Sequence, residues 1–365
     1  MTGDAPLSVA DVTRLAEDRL PKELWDYVSG GSGAETTLAA NRAALDTVAV
    51  LPRVLGGFAD ASPATRLLGT DASLPLAVAP MAYQRLLHPD GELAVAEAAE
   101  IAGVPYVVST LSSVRLEEIA KVGAATWFQL YWLRSRPLVE DLVARAEEAG
   151  CRALMVTVDV PIMGRRLRDL RNSFVLPDEV VAANLEEGSA GRAHELVDGG
   201  SAIAAHTAEA FAPNLGWADL EWLRTRTRLP LVVKGVLDPR DAARAVESGV
   251  DAVVVSNHGG RQLDGAAPSI DALPAVVDAV GGRCEVLLDS GIRSGTDILR
   301  ALALGARGVL VGRPVLYGLA AGGVRGVGQV LSLLATELRD AMTLAGCADV
   351  AAARTVSTVR TVRAR

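Results

Sequence analysis

Aromatic residues are scarce in this 365-residue chain: Phe, Trp and Tyr together make up 4%, while half of all residues are hydrophobic. A core of any size must therefore be aliphatic and rich in alanine. Cysteine is equally sparse. Cys151, Cys284 and Cys347 are odd in number, far apart and without CxxC spacing, which argues against a disulfide scaffold or a zinc site and for a reducing cytoplasm. No metal is expected. Basic charge is not in excess either. The net charge of −8 leaves no footprint for nucleic acid as the main partner, although a few local arginines could hold a small anion. No run of about 18 apolar residues occurs, so no membrane span is expected. The N-terminus, MTGDAPLSVADV, lacks the basic and apolar regions of a secretory signal.

What the chain does have is alternation. Eight short apolar runs, at 74–80, 104–110, 126–132, 153–159, 230–236, 252–260, 285–291 and 308–314, read as strands buried on both faces. Amphipathic stretches lie between them, including 91–103, 136–150 and 238–249. Gly103, Gly150 and Gly249 suit left-handed helix ends, and Asp238-Pro239 suits an N-cap followed by proline. Eight such units predict a closed (β/α)8 barrel in a single 365-residue domain. An open doubly wound sheet is the runner-up, but no G-x-G-x-x-G follows a first strand. Residues 1–73 read as an N-terminal helical segment with a short hairpin, and 74–350 as the barrel. Residues 160–229, too long for a bare connection, read as a lid or binding insertion. The basic tail at 351–365 reads as a solvated, frayed end.

In such a barrel, chemistry sits at the C-terminal ends of the strands, and these ends are polar. They carry Gln129 and Tyr131, Thr157 and Asp159, Lys234, the segment Ser256-Asn257-His258-Gly259-Gly260-Arg261, Asp289-Ser290-Gly291 with Arg293, and Gly312-Arg313. Arg166 follows the fourth strand. Singly, each could be a surface ion-pair member or a loop cap. His258 is the candidate general base, because an ordinary imidazole titrates near pH 6.5, and Asp159 could hold its ring. His88, His194 and His206 read as exposed or packing residues. Arg166 and Arg261 could clamp a carboxylate with paired guanidinium donors. DSGIRSG and GVLVGRP read as a phosphate cradle, with Arg293 and Arg313 adding charge. A barrel enzyme of phosphorylated sugars shares that feature.

Taken together, these residues resemble the FMN-dependent 2-hydroxy acid oxidases and dehydrogenases, with SNHGGRQLDGAAPSIDALP at 256–274 looking like that family's signature segment. The resemblance extends from LPKELWDYVSGG at 20–31 to the GRP at 312–314. Within the family, APMAYQRLLHPDGELAVAEAA, STLSSVRLEEIA, WFQLYWLR and TVDVPIMGRRLRDLRNSF look like the 4-hydroxymandelate (mandelate) oxidases. It implies FMN as cofactor and His258 as base with Asp159 beside it. It implies carboxylate binding by Arg166 and Arg261, helped by Tyr27 and Tyr131, and Lys234 beside the flavin N1/O2 locus. Ala79, Pro80, Met81 and Ala82 would line the flavin. Ser109, Gln129 and Thr157 would meet its pyrimidine edge and Asp289 its ribityl chain. Ser256 and Gly291 fall within the same cofactor-binding segments, and Arg293, Gly312 and Arg313 would meet the phosphate. Two positions depart from the family: Ser290 replaces the usual Gly of a DGG turn, and Leu111 replaces the Trp of glycolate oxidases, leaving room for a larger substrate.

The implied reaction oxidises (S)-mandelate or 4-hydroxymandelate to the 2-keto acid, with O2 reduced to H2O2. Hydride transfer and Cα-proton abstraction by His258 both fit. The resemblance also implies a homo-oligomer, a tetramer. A membrane-linked dehydrogenase is opposed by the lack of a sustained apolar anchor in the insertion and by Ala82, where the mandelate dehydrogenases have Gly. A glycolate or lactate oxidase competes with the aromatic reading, and a non-redox phosphate-binding barrel competes with the flavin reading.

Overall fold

The computed structural model describes residues 5–185 and 202–361. Eight parallel strands close into a barrel: β1 (Leu76–Val78), β2 (Tyr106–Ser109), β3 (Thr126–Leu130), β4 (Leu154–Thr157), β5 (Leu231–Val236), β6 (Ala252–Val255), β7 (Glu285–Leu288) and β8 (Gly308–Val311). Each pairs with its sequence neighbours, and β8 returns to β1 through Val309–Val311 against Leu76–Val78. The eight apolar runs of the sequence are these eight strands.

Alternation along the strands divides the core in two. Ala77, Val107, Trp127, Met155, Val232, Val254, Leu287 and Leu310 point inward, while their neighbours join the larger layer between barrel and helices. The interior is mostly small or aliphatic, with Trp127 its one large ring. The hairpin Thr65–Leu67/Thr70–Ala72 contributes Leu67 and Ala72 to this inner cluster. The helices between strands begin and end as expected. Asp238 caps Pro239–Glu247 by accepting from the Arg240 N–H at 2.8 Å, and Gly103 ends Gly91–Ala102 in the left-handed region at φ +62°.

Three helices, Val9–Arg19, Lys22–Ser29 and Thr36–Asp46, precede the barrel. The basic tail departs from the expectation of a frayed end. Thr358–Arg360 pairs antiparallel with Val48–Val50, and Arg360 forms an ion pair with Asp271 at 2.6 Å. The pairing supplies the backbone bonds that a free end lacks. Among the described residues one helix, Arg313–Leu344, is long and apolar enough to cross a membrane. Its buried face, including Val315, Leu319, Val327, Leu331 and Leu334, packs instead on Val9–Arg19, Gly91–Ala102 and Gly295–Ala303. The insertion contributes helices Leu167–Arg171, Ala202–Ala210 and Trp217–Arg224. His194 lies outside the described residues.

Candidate active site

At the C-terminal ends of the strands a cavity opens, with about 1190 Å³ of free space including its mouth. His258 enters it from the turn after β6, where its φ is +58°. Its Nδ1 lies 3.0 Å from Asp159 Oδ1. Burial pushes the His258 pKa below the ordinary value, against the pull of Asp159. For Asp159, burial pushes upward, but His258 and Lys234 outweigh it and leave the carboxyl below its usual range. An ionised Asp159 beside a neutral imidazole puts the ring proton on Nδ1 and leaves Nε2 with its lone pair. Asp159 can sit there because residue 235 is glycine. At φ +112° a Cβ on Gly235 would come within 2.6 Å of Asp159 Cγ.

Guanidinium groups crowd the same rim. Arg166, Arg261, Arg293 and Arg313 all line the cavity. Arg261 donates to the Tyr27 and Gly30 carbonyls at 2.8 and 2.9 Å and lies over the Tyr27 ring. Arg313 donates to Val28, Gly30 and Gly259 carbonyls at 2.7–3.0 Å, leaving two of its five N–H groups. Burial, then the charge of Arg261, brings Arg166 down to about 10 and Arg313 down to about 9. Arg166 lies 4.0 Å from Asp169, and its Nε has no hydrogen-bond partner among the described residues. Arg261, Arg293 and Arg313 make no ion pair there. So much uncompensated positive charge under burial is a site for anions.

Lys234, buried on β5, meets Asp289 at 3.0 Å and donates to Ser256 Oγ at 3.1 Å. Burial alone would lower its pKa, but Asp289 and Asp159 more than offset this and raise it. Ser290 stands at φ +74°, a strained conformation for a residue with a side chain. Its hydroxyl donates to Asp289 Oδ1 at 2.8 Å. It accepts from the N–H groups of Gly259 at 2.9 Å and Asn257 at 3.4 Å. The His258 N–H is itself bonded to Ser256 Oγ at 3.0 Å. Two serine oxygens thus bracket the His258 turn.

The cavity wall also contains Ala79, Pro80, Met81, Ala82, Ser109, Leu111, Tyr27, Tyr131, Ser290, Gly291 and Gly312. Four residues singled out from the sequence stand one layer behind. Asp159 backs His258, and Ser256 backs Lys234. Gln129 accepts from Ser109 Oγ at 3.2 Å and donates to Thr157 Oγ1 at 3.0 Å, so only Ser109 of that chain reaches the wall. Ile203 and Phe211, also on the wall, carried no sequence signal. Phe211, from the insertion, stacks on Tyr131 with centroids 4.5 Å apart, held by the Leu133–Phe211 bridge. Val160, Met163 and Ile203 extend this apolar side. Gln262 lies inside the signature segment. It donates to the Asp159 and Ile162 carbonyls at 2.8 Å and ties the start of the insertion to the His258 turn.

Comparison with known proteins matches this arrangement. A model of the FMN-dependent dehydrogenase family covers residues 16–360. The chain is 58% identical to a 4-hydroxymandelate oxidase of Amycolatopsis orientalis over 96% of this chain and 98% of that protein. It is 50% identical to an L-lactate oxidase of a Nostoc species over 94% and 96%. A crystal structure of mandelate oxidase with (S)-4-hydroxymandelic acid superposes with a TM-score of 0.96 at 57% identity, covering 98% of this chain and all of the other. With a closed barrel, a cation-lined cavity and sequence identity along nearly its whole length, the chain belongs to the FMN-dependent dehydrogenase family.

Proposed function

We propose that this protein is an oxidase of aromatic 2-hydroxy acids, taking (S)-mandelate or 4-hydroxymandelate to the 2-keto acid and O2 to H2O2. FMN is the cofactor of the family, and the residues present fit it. Among the described residues, buried Arg293 and Arg313 form no ion pair beside the glycine-bearing ends of β7 and β8, as a phosphate requires. Lys234 offers a buried ammonium, paired with Asp289 and bonded to the Ser256 hydroxyl at the start of the His258 turn. Ala79–Ala82, Ser109, Asp289 and Gly291 would complete its surroundings. When bound, FMN accepts two electrons from the substrate and supplies them to oxygen.

The chain's own part is binding and proton control. Arg166 and Arg261 hold the substrate carboxylate, with the hydroxyls of Tyr27 and Tyr131 adding donors. Burial raises both tyrosines, Tyr131 to about 12, so each stays protonated. Nε2 of His258 takes a proton from the substrate, and Asp159 stabilises the resulting imidazolium.

The observation that carries the aromatic reading is the apolar wall of Leu111, Val160, Met163, Ile203 and Phe211 beside the charged cluster. A small aliphatic acid is the second reading. It is favoured by similarity to the Nostoc enzyme. Parallel kcat/KM values for glycolate, lactate, mandelate and 4-hydroxymandelate, with peroxide as readout, separate the two. A ring in place of a methyl adds about three CH2 equivalents of burial at about 0.8 kcal/mol each, so mandelate should lead lactate by roughly 50-fold. A clear lead for lactate or glycolate overturns the aromatic reading. Sedimentation of the purified enzyme checks the tetramer.

A further inference from the structure

Between β4 and the helix Leu167–Arg171 the chain runs through 159–166 without regular structure. The two ends of this segment carry Asp159, the partner of the base, and Arg166, one arm of the carboxylate clamp. Neither side chain is fully tied by its own contacts. Asp159 Oδ2 and Arg166 Nε have no hydrogen-bond partner among the described residues, and Arg166 meets Asp169 at 4.0 Å. Their placement therefore depends on the backbone that carries them. That backbone is gripped by one side chain. The Gln262 amide donates to the carbonyls of Asp159 and Ile162, each at 2.8 Å, and accepts from the Gly164 N–H at 2.9 Å. Two acceptors and one donor in this arrangement are met by an amide, and by neither a carboxylate nor an ammonium. The approach is close enough to require glycine. A Cβ on Gly164 would lie 2.3 Å from the Arg261 carbonyl oxygen and 2.8 Å from Gln262 Cα. The Gly33 N–H adds a bond to the Arg165 carbonyl at 2.9 Å. His258 and Arg261 lie just before Gln262 in the chain, so the amide joins the two halves of the site.

We propose that Gln262 is a positioning residue: its amide holds the 159–166 segment on the His258 turn and so sets both the Asp159–His258 pairing and the reach of Arg166 to the substrate carboxylate. This rests on the base and clamp roles given above. Without the amide, the Asp159 and Ile162 carbonyls and the Gly164 N–H lose their common partner, and both ends of the segment shift. A misplacement of about 1 Å at a reacting group costs about 10²-fold in rate.

The test uses FMN-loaded Gln262→Met, which keeps the length of the side chain and loses all three bonds. It is measured alone and in the Asp159→Asn and Arg166→Lys backgrounds. Anaerobic flavin reduction by (S)-mandelate reads the base. The dissociation constant of benzoylformate, which has no proton to give, reads the clamp from the flavin spectrum. L-lactate and pyruvate take their place if the enzyme prefers the small acid. Alone, Gln262→Met should slow reduction by roughly 10- to 100-fold and weaken keto-acid binding by roughly fivefold to tenfold. Because it acts through Asp159, it should slow reduction by less than about threefold in the Asp159→Asn background. Because it acts through Arg166, it should weaken binding by less than about twofold in the Arg166→Lys background. A residue that merely stabilises the fold loses the same factor in every background. Gly164→Ala lifts the same segment with the amide intact and should repeat both couplings, which keeps the inference testable should Gln262→Met fail to hold flavin. Equal losses across backgrounds, in either measurement, overturn the assignment and leave the base and clamp roles standing. Wild-type reduction in Asp159→Asn together with wild-type affinity in Arg166→Lys overturns those roles, and this inference with them.

Discussion

Replacing Asp159 by Asn separates the charge of the His258 partner from its shape. With its amide oxygen toward Nδ1–H across the 3.0 Å contact, Asn keeps the tautomer, and the amide turned the other way would add a further loss. What disappears is the negative charge facing an imidazolium that forms during the reaction. With an effective dielectric of about 20 and charge centres about 4 Å apart, that attraction is worth about 4 kcal/mol, or about 10³-fold in rate. The pH profile moves in a direction of its own. His258 must be neutral to take a proton, and its pKa already lies below 6.5 because burial outweighs Asp159. In the wild type, flavin reduction should therefore hold its plateau above pH 6.5 and decline only below it. Without Asp159 the imidazolium loses its support, so the pKa drops further and the acid limb moves to lower pH. Anaerobic stopped-flow reduction between pH 5 and 9, in variants checked for full flavin content, reads both quantities. A plateau within threefold of wild type, or an acid limb displaced upward, would refute the pairing.

Two further changes probe the anion clamp and the serine bracket. Arg261→Lys keeps the charge but loses the planar fork, so turnover of a 2-hydroxy acid should fall by the equivalent of about 2–5 kcal/mol. The methyl ester should suffer far less, and equal losses for acid and ester count against the clamp. Ser290→Ala retains the unfavourable φ of +74° and deprives the Gly259 and Asn257 N–H groups of their acceptor, at about 1–3 kcal/mol of stability. Ser290→Gly relieves the backbone and should recover about 1 kcal/mol of that. Denaturant titration of both variants gives the order, and a glycine variant less stable than the alanine one contradicts it.

The barrel was legible because each strand is short, apolar and buried on both faces. Such runs stand out against helical spacing even in a chain so poor in aromatics. The rim was legible for a related reason: polar groups at successive strand ends have few structural uses. What escaped the reading depends on contacts distant in sequence. The tail strand is three residues long and finds its partner over 300 positions away. Phe211 belongs to the site only because Leu133 pairs with it. The Ser290 hydroxyl bridges two strand ends, a role that the DSG run does not signal. The left-handed turn at Tyr83, φ +54°, has no signature in a run reading AYQRL.

The latch on the N-terminal segment also has a consequence for the order of assembly. The carbonyls of Tyr27, Val28 and Gly30 are gripped by Arg261 and Arg313, which follow β6 and β8. During synthesis those arginines emerge more than 200 residues after the segment they hold. The wall that carries Tyr27 must therefore wait, without its lasting partners, until the barrel is almost complete. A nascent chain stopped before Arg313 would have all eight strand segments but neither the helix Arg313–Leu344 nor a finished pocket, so the capacity to hold flavin should appear late and abruptly as the chain lengthens.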